Sequence, residues 1–446
     1  MFSKKDLRRL LIPLIIEQIL AVLVGMADVV MVSAVGEAAV SGVSLVDSIS
    51  TLIIQLLAAL STGGAVVCSQ YLGKKDAKNA SVAANQLLLS TFLLSVFIMI
   101  VALVGNRSLL ALIFGSIEAD VMSNAQTYFF LSAVSYPFLA IYDACAALYR
   151  SMGNSKVSMN TSLCMNAINV VGNALCVYGL HMGVAGVGIP TVVSRATAGI
   201  IMLVIVRNPE HLIHVDRRLR LGFHPQMIRN ILRIGVPAGM ENSMFQLGKI
   251  LVQSLVSSLG TASIAGFAVA NNLVQFEYLP GTAIGLGMVT VIGQCVGAGE
   301  HAQARQYTNY LLKVNYGILA VLAVLLTALS TPLVGIYNLS PEASSIAVAL
   351  IVVHSFAMII WPVAFALPNA LRAASDVKFT MVTAVFSMWA FRIGLSYVLV
   401  LGFHLGVMGV WIAMFADWGF RAVLFFIRYR SGRWLPQRPQ KQAVGQ

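Results

Sequence analysis

The sequence predicts an all-α polytopic membrane protein whose twelve transmembrane helices form two parallel six-helix repeats. Three observations support this: the composition, the spacing of the apolar segments and an internal duplication. Of the 446 residues, 58% are hydrophobic and 10% are charged, and the mean hydropathy is +0.84. Soluble domains carry about 25% charged and about 45–50% apolar residues. The composition therefore excludes a water-soluble multidomain enzyme, a disordered chain and a fibrous protein.

Long apolar segments follow one another along almost the whole chain. A transmembrane helix needs roughly 20 apolar residues, and twelve such segments fit with short connections between them. The predicted helices span 10–35, 43–70, 82–105, 122–149, 157–180, 184–206, 229–258, 264–296, 309–331, 343–371, 379–401 and 405–427. The predicted organisation is an N-terminal lobe (1–206), a polar cytoplasmic linker (207–228), a C-terminal lobe (229–428) and a basic cytoplasmic tail (429–446).

The basic residues lie on alternate connections between these helices. Of the 29 Lys and Arg, 24 fall on the N-terminus, every second connection and the tail, whereas the opposite connections hold only Arg107. The positive-inside rule then predicts a protein of the cell (inner) membrane with both termini in the cytoplasm. The formal charge of +12 is interpreted as this orientation signal, with anionic lipid headgroups as its contact. We expect no nucleic-acid partner, because no basic face is interleaved with aromatic residues.

The two halves of the chain repeat each other. Pro13-x-x-x-Glu17 corresponds to Pro237-x-x-x-Glu241 at an offset of 224 residues. Three further matches are Gln70-x-x-Gly73 with Gln294-x-x-Gly297 at the same offset, Arg150–Met159 with Arg372–Met381 at 222, and Gly179–Val187 with Gly402–Val410 at 223. Because each half holds an even number of helices, the repeats are parallel. Parallel six-helix halves are a transporter architecture with the substrate site between the halves; a duplicated channel or an inert scaffold is the alternative.

Asp28 is an acidic residue inside the first predicted helix. A charge at a helix centre costs about 2.5–3.5 kcal/mol on the insertion scale, so it must face a cavity or a partner. Asp28 lies roughly 28 Å along the helix from Arg9, in the outer half of the membrane, and no basic residue lies one turn away. Burial favours the neutral form of a carboxyl group, so Asp28 could bind and release a proton, or bind Na⁺. The alternative is that it pairs with a distant base or caps a neighbouring helix.

Three neutral polar residues lie at a similar depth. Asn169 and Asn173 are spaced i, i+4 on one face of the fifth helix, and Thr191 lies on the sixth. With Asp28 they are predicted to form one oxygen-rich pocket. The alternative is ordinary hydrogen bonding between helices, worth about 0.6 kcal/mol for each bond.

Glu17 and Glu241 occupy equivalent positions in the two repeats. Each follows a proline by four residues, and Pro13 and Pro237 can each kink their helix because proline lacks a backbone N–H. The symmetry favours a packing role at the boundary between the halves. Attraction of a cationic substrate is the alternative, chiefly for Glu241.

The other charges of the membrane segments have simpler interpretations. Four acids lie near predicted helix ends and are expected to be solvated or paired: Asp47, Asp143, Glu277 and Asp417. Asp417 and Arg421 are spaced i, i+4 and can pair with each other. Arg392 follows Trp389 by one turn, which suggests a cation–π or backbone-carbonyl contact.

Motifs for catalysis are missing from the sequence. It has no H-E-x-x-H, no G-x-S-x-G and no phosphate-cradling Gly-Lys loop. We therefore expect neither an enzyme nor an ATP-driven pump, and no metal site or cofactor other than H⁺ or Na⁺ as a coupling ion.

The sequence resembles the MATE (multidrug and toxic compound extrusion) transporters over nearly its whole length. The residues that carry the resemblance are Pro13 with Asp28 in Met26–Val32, Gly235-Val-Pro237, Gln70–Gly73, Gln294–Gly297 and Leu371–Asp376. The resemblance implies two six-helix lobes around a central cavity. It also implies export of amphipathic, often cationic, small molecules in exchange for H⁺ or Na⁺.

The same resemblance implies roles for individual residues. Asp28 matches the coupling acid of helix one, and Asn169 and Thr191 match its polar partners. Asn173 stands where the family pattern has Asp, which leaves Asp28 as the lone acid of the pocket and favours proton coupling. Phe245 stands where another branch has a helix-seven Glu, so a cation site in the C-terminal lobe is not expected.

Two other functions remain open on the sequence alone. A lipid or lipid-linked oligosaccharide flippase would need a groove rich in Arg and Lys, but the membrane segments hold more acids than bases. A channel or receptor would show uncoupled flux or none. The sequence does not name the substrate, and we expect the protein to act as a monomer.

Overall fold

The computed structural model describes residues 1–115, 117–215 and 222–436, and this part of the chain consists of helices joined by turns and loops. The α-helices are α1 Lys4–Ser33, α2 Glu37–Gly73, α3 Ala77–Val104, α4 Asn106–Phe114, α5 Ala119–Ser151, α6 Ser155–Ala174, α7 Ala185–Val206, α8 Pro225–Ser257, α9 Thr261–Gly297, α10 His301–Gly335, α11 Pro341–Ala357, α12 Leu367–Ala373, α13 Val377–Ser387 and α14 Gly406–Arg430. The predicted all-α fold class is confirmed.

The membrane spans agree with the twelve predicted helices. Ten helical segments of the described chain are long and apolar enough to cross a membrane, or eleven when a bent pair counts as one. The 33-residue helix α8 coincides with the remaining predicted span. The nine-residue helix α4 was not predicted, because it is too short to give a transmembrane signal.

Proline breaks one span that the sequence analysis predicted as a single helix, 343–371. The axes of Pro341–Ala357 and Pro362–Ala373 differ by 70°, and the π-helical segment Pro362–Ala366 lies between α11 and α12. Proline lacks the N–H that would continue the hydrogen-bond ladder, so Pro362 is the chemical cause of the break.

Two further π-helical segments lie at equivalent positions of the repeats. Leu175–Gly179 ends the fifth predicted helix and Val398–Gly402 ends the eleventh. They are 223 residues apart, which is the offset found in the sequence next to them. The duplication is therefore visible in the local backbone as well as in the residues.

Helix starts extend beyond the apolar segments. In α1, Ser3 Oγ accepts a hydrogen bond from the Asp6 N–H at 3.1 Å, and Asp6 Oδ2 accepts one from the Ser3 N–H at 2.9 Å. This reciprocal capping box satisfies two N–H groups at the helix start. In α2, Gly36 has φ +132° and the helix begins directly after it, at Glu37. Asp47 therefore lies ten residues inside a helix, not near its end as predicted.

The chain divides into two compact units. The N-terminal unit comprises 3–68 and 77–243, and the C-terminal unit comprises 1–2, 69–76 and 244–446. The change of unit falls within α8. Of the predicted linker, 216–221 lie outside the described residues and α8 already begins at Pro225; 437–446 of the predicted tail also lie outside them.

In the N-terminal unit, α5 is the central helix and packs against α3 and α7. Its small and aromatic residues are buried on most sides, including Tyr136 and Phe129. A Cβ added at Gly199 would lie 2.7 Å from the Phe138 carbonyl oxygen, so this glycine lets α7 approach the α5 backbone. The close contact fixes α7, which carries part of the site described below.

In the C-terminal unit, α9 packs against α10, α11 and α12. The end of α2 crosses the end of α9 at the two repeated motifs. A Cβ added at Gly73 would lie 2.0 Å from the Gln294 carbonyl oxygen, and one at Gly297 would lie 2.0 Å from that of Gln70. The repeated Gln-x-x-Gly pattern thus reflects a reciprocal crossing in which only glycine fits.

Candidate functional site

A cavity of about 320 Å³ lies within the N-terminal unit, between α1, α2, α5, α6 and α7. Its polar lining consists of Asp28, Asp47, Tyr128, Asn166, Asn169, Thr191, Ser194 and Arg195. The rest of its wall is formed mainly by valine side chains. The cavity therefore combines charged groups with an apolar surface, as a site for amphipathic molecules does.

The structure brings together the four residues that were predicted to share a pocket. Asn173 Nδ2 donates to Asp28 Oδ1 at 2.7 Å and lies 3.3 Å from Asn169 Oδ1. Asn169 Nδ2 donates to Thr191 Oγ1 at 3.1 Å. The result is a continuous chain of hydrogen bonds from α7 through α6 to the carboxylate on α1.

Asp28 stands at the exposed end of this chain. Asn173 is fully buried, whereas Asp28 is part-exposed and lines the cavity. The hydrogen bond from Asn173 uses Oδ1, and within the described chain Oδ2 has no donor and Asp28 has no ion pair within 4.0 Å. The alternative that Asp28 is held by a distant base is thus not supported by these contacts.

A glycine allows α6 and α7 to approach each other beside this chain. A Cβ added at Gly172 would lie 2.7 Å from Pro190 Cβ. Gly172 precedes Asn173 directly, and Pro190 precedes Thr191. The short distance between the two helices is what places Asn169 within hydrogen-bond reach of Thr191.

Five charged or polar residues of the cavity lining were missed by the sequence analysis, namely Asp47, Tyr128, Asn166, Ser194 and Arg195. Asp47, Tyr128 and Arg195 line the same cavity as Asp28, and the Tyr128 hydroxyl is near enough to Asp47 to interact with its charge. The prediction that Asp28 is the lone acid of the pocket is therefore wrong. Arg195 could have been found, because it follows Thr191 by four residues and shares its helix face. Asp47 was placed near a helix end because the start of α2 was predicted six residues too late.

Glu17 lies elsewhere on α1, in a polar cluster inside the N-terminal unit. It is buried, accepts hydrogen bonds from Tyr142 Oη at 3.2 Å and Ser158 Oγ at 3.0 Å, and lies 3.8 Å from Arg150 Nη1. It does not line the cavity. These contacts favour the packing role over substrate binding.

The other predicted substrate and kink residues are also away from the cavity lining. Glu241 lies on α8, which contributes no residue to that lining. Pro13 and Pro237 each lie inside an uninterrupted α-helix, α1 and α8. The structure thus assigns Glu241, Pro13 and Pro237 no contact with the cavity, and their functional roles remain predictions.

A second charged cluster lies in the C-terminal unit. Asp417 Oδ1 is 2.7 Å from Arg421 Nε and its Oδ2 is 3.8 Å from Arg392 Nη1, so the predicted i, i+4 pair is confirmed. Arg392 lies over the Phe245 ring, 5.5 Å from its centroid. The expected cation–π contact of Arg392 is confirmed, but the ring is that of Phe245 on another helix and not that of Trp389.

Glu277 and His354 form a pair in the interior of the same unit. Glu277 Oε2 lies 2.7 Å from His354 Nδ1, and both side chains are buried. The His354 ring packs edge-on against Trp411 and Trp418, with centroids 5.2 and 5.4 Å apart. Of the two outcomes expected for Glu277, solvated or paired, the structure shows the paired one.

Taken together, a repeated helical membrane fold and a cavity that holds charged groups define a transporter rather than an enzyme. The chain belongs to the MATE family: the family model described as MatE matches residues 13–175 and 237–398. The two matches begin 224 residues apart, in agreement with the duplication found in the sequence.

Relatives and solved structures agree with this assignment. The chain is 28% identical to an uncharacterized transporter, YisQ, of Bacillus subtilis, over 95% of this chain and 93% of that protein. It is 26% identical to a probable multidrug resistance protein, NorM, of Thermotoga maritima, over 99% and 94%. A solved MOP superfamily transporter from Pyrococcus furiosus has the same fold, with a TM-score of 0.90 at 19% identity over 98% and 97% of the two chains.

Members of this family are transporters and not enzymes. The protein is accordingly a multi-pass membrane transporter of the multidrug-efflux type that handles small molecules. The finer questions are which ion drives it and which molecules it carries.

Proposed function

We propose that the protein exports amphipathic, cationic small molecules in exchange for protons, by alternating access, with Asp28 as the exchanging carboxylate. The observation that supports this most directly is the setting of Asp28. It lines the cavity, is held by Asn173 through one oxygen, and has no basic group within 4.0 Å among the described residues.

The proton and the substrate compete for the same negative charge. When Asp28 is ionised, the Asn173 amide donates to it and the cavity attracts a cation. When Asp28 takes up a proton, that attraction is lost and the substrate is released. A ligand that binds one state of the carboxylate better than the other shifts the balance between conformations, which is all that alternating access requires.

Sodium is the alternative coupling ion. Na⁺ would need several oxygen ligands, and beside Asp28 the pocket offers neutral oxygens of Asn169 and Thr191. The position that carries a second acid in the family pattern is Asn173 here. We favour the proton because Asp28 alone can carry it. A Na⁺ site of the family pattern would lack the carboxylate at Asn173, and Asp47, the other acid of the cavity, interacts with Tyr128 and Arg195.

We also propose the orientation that the basic connections predict. Both termini then lie in the cytoplasm of a cell-membrane protein, and Asp28 lies in the outer half of the bilayer. The transporter acts as a monomer, since all the residues proposed for coupling lie within one unit of a single chain.

The test is dye efflux from proteoliposomes under an imposed pH gradient and, separately, an imposed Na⁺ gradient. The wild type should export a lipophilic cation under the pH gradient, and Asp28→Asn should abolish this export. Asp120→Asn is the matched control, because Asp120 is exposed at the start of α5; it should export like the wild type.

Three results would change the proposal. Undiminished export by Asp28→Asn would remove this carboxylate from the mechanism. Export driven by the Na⁺ gradient alone would replace the proton by sodium. Flux that needs neither gradient would indicate a channel.

A further inference from the structure

We propose that Arg195 forms an anion subsite in the same cavity, so that the transporter accepts zwitterionic amphipathic molecules. Their cationic group would lie against the carboxylates of Asp28 and Asp47, and their carboxylate against the guanidinium. This inference rests on the proposed function in one respect only, namely that the cavity is where substrate binds.

The first argument is the unused hydrogen-bonding capacity of Arg195. A guanidinium carries five N–H donors. One of them, on Nη1, donates to Ser135 Oγ at 2.7 Å, and the other four have no acceptor within the described chain. No carboxylate lies within 4.0 Å of Arg195 there either. Donors left over at a cavity wall are available to a ligand.

The second argument is that the guanidinium is positioned. Ser135 is fully buried on α5, and its hydroxyl donates to the Ser132 carbonyl oxygen at 2.6 Å. The Ser135 oxygen is thereby fixed as the acceptor for Arg195. A guanidinium that is held through one nitrogen can present its remaining N–H donors as a parallel pair to a planar, bidentate group. A carboxylate has that geometry.

The third argument is that the two neighbouring acids are engaged by other groups. Arg195 is near enough to attract both Asp28 and Asp47. Asp28 nevertheless accepts its hydrogen bond from Asn173, and the charge of Asp47 interacts with the Tyr128 hydroxyl. The positive and negative groups thus stand as separate sites along one cavity instead of closing into a single ion pair.

The distribution of charge then selects the class of ligand. With all three groups ionised, the cavity has two negative charges and one positive charge, and its wall is otherwise largely apolar. A simple lipophilic cation would satisfy the acids but leave the donors of Arg195 unused. A zwitterion with an aromatic or aliphatic body satisfies both ends, and charged groups at membrane depth need such partners.

The experiment compares two dyes that differ at one group. Rhodamine 110 carries a delocalised cation and a free carboxylate, and rhodamine 123 is its methyl ester, with the cation but no carboxylate. Their equilibrium binding to detergent-purified protein is measured by fluorescence polarisation without any ion gradient. The variants are Arg195→Gln and Arg195→Lys, with Arg107→Gln as the control because Arg107 is exposed outside the cavity.

Arg195→Gln should weaken binding of rhodamine 110 by about tenfold or more, since it removes a charge-assisted, bidentate contact. Binding of rhodamine 123 should change by less than about threefold in the same variant, because the ester makes no ion pair with the guanidinium. The affinity of Arg195→Lys for rhodamine 110 should lie between those of the wild type and Arg195→Gln, because lysine keeps the charge but cannot form the bidentate hydrogen bonds of a guanidinium. Arg107→Gln should match the wild type with both dyes.

If Arg195→Gln bound both dyes more weakly by the same factor, the proposal would be overturned. Arg195 would then act only as a counter-charge for Asp47. If that variant is not monodisperse, the wild type decides: binding of the ester as tight as or tighter than that of the free acid would also overturn it. Because no gradient is used, these results are independent of coupling. A failure of Asp28→Asn to stop driven export would refute the proposed function and leave the dye comparison intact.

Discussion

The crossing of α2 and α9 allows one prediction to be worked out in detail. In Gly297→Ala the new Cβ would lie 2.0 Å from the Gln70 carbonyl oxygen and 2.6 Å from its carbonyl carbon. Ordinary contact begins at 3.4 Å, so the helix ends must separate by about 1.4 Å, the difference between the two distances. These are backbone atoms and cannot rotate away. The Gln70 side chain is also tied by its Nε2 to the Ala373 carbonyl oxygen at 2.8 Å.

Forced overpacking of this kind costs about 1–3 kcal/mol, and we expect the upper half of that range because the obstacle is backbone. At about 2–4 °C for each kcal/mol in a unit of this size, the apparent melting temperature should fall by roughly 4–12 °C. Unfolding of membrane proteins is commonly irreversible, so the measurement is an apparent midpoint at fixed heating rate, read by fluorescence size-exclusion chromatography.

The control for this prediction is Gly419→Ala on α14, where an added Cβ meets nothing within 4 Å. The stability of that variant should equal that of the wild type or exceed it by up to about 1 kcal/mol, because alanine has a higher helix propensity than glycine. Gly73→Ala should lower the apparent melting temperature as much as Gly297→Ala does, since its Cβ would lie 2.0 Å from the Gln294 carbonyl oxygen. If Gly297→Ala melted together with Gly419→Ala, the tight crossing would be refuted.

Three further predictions concern other contacts. His354→Phe should lower the apparent melting temperature strongly, because leaving Glu277 buried without its partner costs about 3–5 kcal/mol. Adding Glu277→Gln should restore part of that stability. If the effects of the two substitutions simply added in the double variant, the pairing would be contradicted. Asn173→Asp places a carboxylate directly beside Asp28, whose Oδ1 lies 2.7 Å from Nδ2 of Asn173. NaCl should therefore raise the melting temperature relative to choline chloride more in the variant than in the wild type, and an identical salt response would count against a latent cation site. Ser3→Ala removes the capping box at a cost of about 1 kcal/mol, which should speed hydrogen exchange in the first turn of α1 only, and unchanged exchange there would show that the cap is dispensable.

Much of the fold could be predicted from the sequence because the membrane imposes strong rules on it. A backbone in lipid must satisfy its own hydrogen bonds, so each long apolar segment has to be a helix. The prediction of an unbroken helix over 343–371 failed because the chemistry of one residue outweighed the hydropathy of the segment. Pro362 lies within an apolar segment that was predicted as one span, yet the chain bends there because proline lacks an N–H.

The site was predictable where polar residues share one helix face or lie at a similar depth in neighbouring helices. The i, i+4 spacing put Asn169 and Asn173 on one face, and the structure connects that face to Asp28 and Thr191. Asp47 reaches the same cavity from another helix, and its position depends on where α2 begins. Apolar segments mark the lipid-embedded part of a helix and not its polar first turns, so the start was placed too late.

The paired π-helical segments at Leu175–Gly179 and Val398–Gly402 affect how any residue scan through this region must be read. Their hydrogen bonds run from i to i+5, not from i to i+4, so within each segment the side chains are rotated relative to those of a regular helix. A wheel drawn with 3.6 residues per turn would therefore assign the wrong faces within Leu175–Gly179 and Val398–Gly402, where the two helices end. Cysteine-labelling patterns within these two segments should be fitted with a phase of their own.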